Sequence, residues 1–167
     1  LEYTGALKVL QMIFSYEYLW IQIRVKGGAY GCMCSFSDQG DSMFVTYRDP
    51  NLSESYKVYD EAADYVADFD ADDRDMKKYI IGTIGSMDMP MEAVDMGARS
   101  FHAYFLGKTE ADLQKVRDQV LSCTQEDIRA LAPIVKAVVE AGNRCCIGNE
   151  EKIDQNKEYF DEVKHVL

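Results

Sequence analysis

A chain of 167 residues, 47% hydrophobic and 28% charged, has the make-up of an ordinary globular protein with material for one hydrophobic core. Its formal net charge of −11 excludes nucleic acid as a partner, because a phosphate backbone selects Lys/Arg-rich surfaces. No apolar run is long enough to cross a membrane, and Leu1-Glu2-Tyr3-Thr4 has neither the basic start nor the small-residue cleavage pattern of a signal peptide.

The first predicted element runs from Gly5 to about Val25. Leu7, Leu10, Phe14 and Ile21 form one apolar stripe, and Ala6, Val9, Ile13, Tyr16 and Trp20 form another. A helix apolar on most sides is buried between layers. Gly27-Gly28 ends it, because glycine adopts the left-handed cap conformation without a clash.

A hairpin follows, with strands at Tyr30–Ser37 and Ser42–Arg48 and turn chemistry at Asp38-Gln39-Gly40-Asp41. Asp49-Pro50 stops the second strand, and Asn51 with Glu54 reads as the cap of the next helix. Helices are predicted over Leu52–Phe69, Asp72–Met87, Met91–Leu106, Glu110–Ser122 and Gln125–Ala141. Thr109 with Asp112 and Thr124 with Asp127 have capping-box spacing. Gly142-Asn143 breaks the last long helix, and Arg144–Ile147 is short and β-like.

Two hairpin strands and one late strand are few for so many helices, and a two-stranded ribbon needs more strands or a covering helix. The expected fold is therefore α+β, an antiparallel sheet packed against several helices, as one domain over residues 1–167. Its opening strands are expected upstream of Leu1, whose place at the start, without a methionine, reads as a fragment. An unprotected sheet edge would favour self-association.

Cys32, Cys34, Cys123, Cys145 and Cys146 are odd in number and contain no Cys-x-x-Cys pair, which fits neither a disulfide framework nor a thiolate metal site. Cys32 and Cys34 share one strand face and read as small apolar groups in a reducing compartment. Asp68, Asp70 and Asp72 recur at alternate positions. Arg74, however, stands where a calcium loop needs glycine, so the segment reads as a solvated helix junction. His102 and His165 lack metal-ligand spacing and read as structural.

The segment that carries chemistry is Arg24-Val25-Lys26-Gly27-Gly28-Ala29-Tyr30-Gly31. It sets an arginine at a helix end and a tyrosine at a strand start, with a double glycine between them that lets another backbone approach. Such a pair can present a guanidinium and a phenol to one ligand carbonyl. From residue chemistry alone, the stretch also reads as a helix cap followed by a strand, with Arg24 in a surface ion pair.

The run Leu19-Trp20 to Arg24-Val25, then Gly27-Gly28-Ala29-Tyr30-Gly31, resembles the presequence-protease branch of the pitrilysin and insulin-degrading family of zinc metallopeptidases. Tyr47-Arg48-Asp49-Pro50-Asn51-Leu52, Ile80-Ile81-Gly82-Thr83-Ile84-Gly85 and Phe160-Asp161-Glu162-Val163-Lys164 are similar to it in the same order. The resemblance implies the C-terminal, fourth domain of a clamshell peptidase that degrades unfolded peptides in a closed chamber. It implies a zinc held in the first domain by an inverted His-x-x-Glu-His motif absent from this sequence, so the chain itself holds no metal and by itself is inactive. It implies Tyr30 and Arg24 as catalytic contacts to oxyanion and substrate carbonyl, beside Gly27, Gly28 and Ala29 as substrate-binding backbone. It further implies a peptide substrate and the N-terminal half of the parent chain as partners, and a cytoplasmic or organellar-matrix setting. A non-catalytic peptide-binding or scaffold subunit of the same fold is the alternative.

Overall fold

The computed structural model describes residues 2–165. Helix α1 spans Ala6–Ile13 and continues directly into two π-helical segments, Phe14–Tyr18 and Trp20–Lys26. In the α-helical half Ala6, Leu7, Val9, Leu10 and Ile13 are buried, as the apolar stripes require. Beyond Ile13 the buried positions become Phe14, Tyr18 with Leu19, and Ile23. That wider spacing matches the i→i+5 hydrogen bonding of a π-helix, a rare form that occurs frequently at functional sites. The changed period moves Tyr16, Trp20 and Ile21 out of the stripes and to the surface, with Tyr16 65% exposed.

Strands β1 (Gly31–Phe36) and β2 (Ser42–Tyr47) pair antiparallel from Gly31 opposite Tyr47 to Phe36 opposite Ser42. Gly40 takes φ +94° in the turn, where Ser37 N–H bonds to Asp41 O at 2.8 Å. Cys34 and Phe36 are buried on the inner face, whereas Met33, Met43 and Tyr47 on the outer face are about half exposed. Phe14 is the hub of the core. Its ring meets those of Tyr18, Phe36, Phe44 and Tyr65 at centroid distances of 5.6–6.2 Å.

The remaining chain is helical: α2 Leu52–Asp60, α3 Ala62–Ala67, α4 Asp73–Met87, α5 Ala93–Phe105, α6 Glu110–Leu121, α7 Gln125–Arg129, α8 Ala132–Glu140 and α9 Glu150–Asp154. Together with the hairpin this is an α+β fold. Both capping boxes form, at Thr109 with Asp112 and at Thr124 with Asp127. Asp72 caps α4, its carboxylate accepting the N–H groups of Arg74 and Asp75, which gives the aspartate-rich junction a structural role.

Four expectations require correction. The helix predicted over Leu52–Phe69 breaks at Glu61, and that over Gln125–Ala141 breaks at Ala130-Leu131. Pro133 explains the second break: it has no N–H and fits only a first turn, so the chain restarts a helix there. Arg144–Ile147 takes no regular secondary structure and pairs with no strand, so the described residues hold a two-stranded sheet. Asn51 does not cap α2: its Oδ1 accepts no N–H of the helix, and the bond its Nδ2 donates to Gly27 O ties the side chain to the Gly-Gly turn.

All five cysteines are free. Burial pushes the thiols of Cys34 and Cys123 up to about 12, which keeps them protonated, while Cys145 is exposed. Thiolate, not thiol, is the nucleophile. Brief treatment of this chain with iodoacetamide near pH 8 is therefore expected to alkylate Cys145 first and to leave Cys34 and Cys123 intact, as peptide mass mapping would show. Early loss of Cys34 would contradict the packing of β1 on α1.

Candidate functional site

The corner between the first helix and β1 is built by backbone constraints. Gly27 N–H bonds to Gln22 O at 3.1 Å, and a Cβ on Gly27 would lie 2.5 Å from Ile23 O, so only glycine fits. Gly28 follows at φ +76°, in the region glycine favours. Ala29 is buried and ties back through its N–H to Ile23 O at 3.2 Å. The chain then emerges at Tyr30, whose N–H meets the carbonyls of Tyr47 and Arg48 at 3.1 and 3.3 Å.

The opposite side of the corner is pinned by the end of β2. Arg48 adopts φ +49°, turning the chain so that Asn51 reaches back. Asn51 Nδ2 donates to Gly27 O at 2.6 Å, while Asp49 accepts the Asn51 N–H at 2.9 Å and the Ser55 hydroxyl at 2.5 Å. The motif Tyr-Arg-Asp-Pro-Asn therefore braces the Gly-Gly turn, a job that strand and cap chemistry alone did not suggest.

Within this frame Arg24 and Tyr30 come together. Arg24 Nε donates to Tyr30 O at 3.1 Å, and the guanidinium carbon lies 4.1 Å from the Trp20 ring centroid. One contact is a directional hydrogen bond and the other a cation–π interaction, so the side chain is held at two points. Among the described residues its terminal nitrogens have no hydrogen-bond partner and Arg24 forms no ion pair. Tyr30 is 66% exposed, and its ring sits edge-on to Tyr47 with centroids 5.9 Å apart. Arg48 lies 5.8 Å from the Tyr30 ring and 5.3 Å from that of Tyr47. The Tyr30 hydroxyl has no hydrogen-bond partner among the described residues.

Just behind the corner, burial raises the Cys32 thiol above its ordinary value, and the Arg24 charge partly offsets that rise. Of the residues singled out in the sequence, Gly27 and Gly28 shape the turn and Ala29 is a buried anchor; their three N–H groups are taken by Gln22 O, Arg24 O and Ile23 O, so they offer a ligand no backbone donor in this arrangement. Trp20, Tyr47, Arg48 and Asn51 were missed as supports. The four-residue spacing of Trp20 and Arg24 is a signal that could have revealed one of them. Chemically, the corner offers hydrogen-bond donors, a guanidinium and a phenol, suited to carbonyl oxygens or a developing oxyanion. Among the described residues no group of three His, Cys, Asp or Glu is placed to hold a metal ion, so these side chains do not fit a zinc site.

Residues 2–149 match the family model described as the PreP C-terminal domain. The chain is 41% identical over 166 residues to Protein HypA of Clostridium perfringens, covering 99% of this chain and 17% of that protein. It is 33% identical over 170 residues to Presequence protease 1, chloroplastic/mitochondrial, of Arabidopsis thaliana, covering 99% and 16%. With the mitochondrial Presequence protease of Aspergillus fumigatus it shares 34% identity over 151 residues, 89% of this chain and 14% of that protein. The chain thus spans less than a fifth of the length of these relatives.

Proposed function

The chain belongs to the PreP C-terminal domain family, and from that premise we propose that it supplies the carbonyl-binding part of a zinc endopeptidase site whose metal is held elsewhere in a longer protein. Tyr30 donates its hydroxyl hydrogen to the oxygen that becomes negative as a peptide carbonyl is attacked. The free terminal N–H groups of Arg24 bind a neighbouring carbonyl and hold the substrate in register. Unfolded peptides are the substrate class, because an extended chain leaves its carbonyls free to accept from both donors. Because donors and metal sit on different parts of the protein, closure of the shell completes the site. Five free cysteines suit a reducing, matrix-like compartment.

The observation that carries this reading is the hydrogen bond from Arg24 Nε to Tyr30 O, which joins the two residues and leaves both functional ends unpartnered. Arg24→Lys in the intact protein is the test. Lysine keeps the charge but loses the fork and the Nε bond, so KM for a quenched-fluorescent peptide is expected to rise about tenfold or more, with a smaller change in kcat. An unchanged KM would remove Arg24 from substrate binding and favour a scaffold role for the corner.

A further inference from the structure

Among the described residues, Arg48 is the one residue other than glycine with a positive φ, at +49°. Glycine enters that region freely and asparagine or aspartate fairly readily, whereas a long side chain such as arginine seldom does. The turn itself asks only for a backbone. It lets Asn51 reach Gly27 O and sets Arg48 O 3.3 Å from the Tyr30 nitrogen. Glycine would serve both purposes. An arginine in a conformation that disfavours it therefore points to a role for the side chain.

That side chain adjoins two rings of the corner. The guanidinium carbon lies 5.3 Å from the Tyr47 ring centroid and 5.8 Å from that of Tyr30, and the two rings meet at 82°. Among the described residues the Arg48 side chain forms no hydrogen bond and no ion pair, so cation–π attraction is what orients it. Tyr30 has few other neighbours. It is 66% exposed, and Gly31, next to it and opposite Tyr47 in the ladder, supplies no side chain. A Cβ at Gly31 would meet nothing within 4 Å, so β1 offers the ring no support at that position. Without Tyr47 and Arg48 an exposed phenol would turn among the staggered rotamers about χ1.

We infer that Arg48 is a positioning residue for peptide cleavage: its guanidinium, packed against Tyr30 and Tyr47, restricts Tyr30 to the rotamer that aims the hydroxyl at the developing oxyanion. The positive φ is retained because one residue both turns the chain and carries a cation back over the rings. A donor confined to one rotamer needs no reordering when the scissile oxygen becomes negative, so its confinement acts on kcat. The inference rests on the reading of Tyr30 as the oxyanion donor and adds Arg48 to it.

Arg48→Gly in the intact protein tests it, since glycine accepts the φ of this turn and only the side chain is lost. Its kcat for a quenched-fluorescent peptide is expected to fall about five- to tenfold, with KM and Tm nearly unchanged. Arg48→Lys, which keeps a cation within reach of the rings, is expected to recover part of that loss. In Tyr30→Phe, where the hydroxyl is already gone, adding Arg48→Gly is expected to lower kcat no further. Fluorotyrosine incorporated at position 30 gives a readout that needs no turnover: Arg48→Gly is expected to move its fluorine resonance towards that of a solvated tyrosine. Wild-type kcat in Arg48→Gly, beside an impaired Tyr30→Phe, would overturn this inference and leave the reading of Tyr30 intact. The same fold loss in both backgrounds, a loss that tracks a lowered Tm, or an unmoved resonance would overturn it too. Wild-type kcat in Tyr30→Phe would instead remove the reading on which it rests.

Discussion

Replacing Tyr30 by Phe in the intact protein is expected to lower kcat for peptide cleavage by roughly 10²–10³ while leaving KM nearly unchanged. The substitution removes one oxygen and keeps the ring. The edge-on contact with Tyr47 at 5.9 Å and the neighbouring Arg48 guanidinium are retained, so the corner keeps its shape. What disappears is a donor needed chiefly when negative charge develops on the scissile oxygen, and a group of that kind acts on the transition state rather than on the bound substrate. Exposure of the ring makes a folding defect an unconvincing explanation for any loss. Arg24→Lys works in the opposite sense, through KM, because its free N–H groups meet a carbonyl that remains neutral throughout. The two variants together separate register from oxyanion stabilisation. Wild-type kcat in Tyr30→Phe would leave the phenol without a catalytic role.

Much of this arrangement was legible in the sequence because it rests on local rules. Glycine at Gly27 and Gly28, the hairpin turn at Gly40 and the Thr–Asp capping boxes each depend on a few neighbouring residues, and each appears where its chemistry requires. The pairing of Arg24 with Tyr30 was legible through their positions at either end of the Gly-Gly turn, although the bond joining them runs to a backbone oxygen that no pattern of side chains reveals.

Less local features were not legible. A period of 3.6 residues places Ile21 with Phe14, and only the π-helical bonding after Ile13 explains why Ile21 is exposed while Leu19 and Ile23 are buried. Asn51 looked like a cap because asparagine before a helix usually is one. Its Nδ2 instead donates to Gly27 O, 24 positions away in sequence, and its Oδ1 accepts no N–H of the helix. Arg144–Ile147 read as a strand on composition, but β-propensity is realised only with a partner, and none lies beside it among the described residues.

The largest effect on stability is expected from Phe14→Ala. Phe14 is fully buried where α1 passes into its π-helical continuation, and four aromatic rings surround it: Tyr18 from the same helix, Phe36 and Phe44 from the two strands, and Tyr65 from α3. Truncation removes the transfer free energy of the ring and leaves a cavity among rigid neighbours, so unfolding free energy should fall by about 3–5 kcal/mol. Tyr16→Ala, two residues on but 65% exposed, should change it by no more than about 0.5 kcal/mol. Urea titration of the chain compares the two, provided the slope with denaturant stays constant. A small loss at Phe14 would mean that helix, hairpin and α3 do not converge on one core. That convergence is what aims the last turn of the helix, and Arg24 with it, at the start of β1. A variant softened there should therefore also lose positioning at Tyr30, and Phe14→Leu, which refills most of the space, should recover part of both.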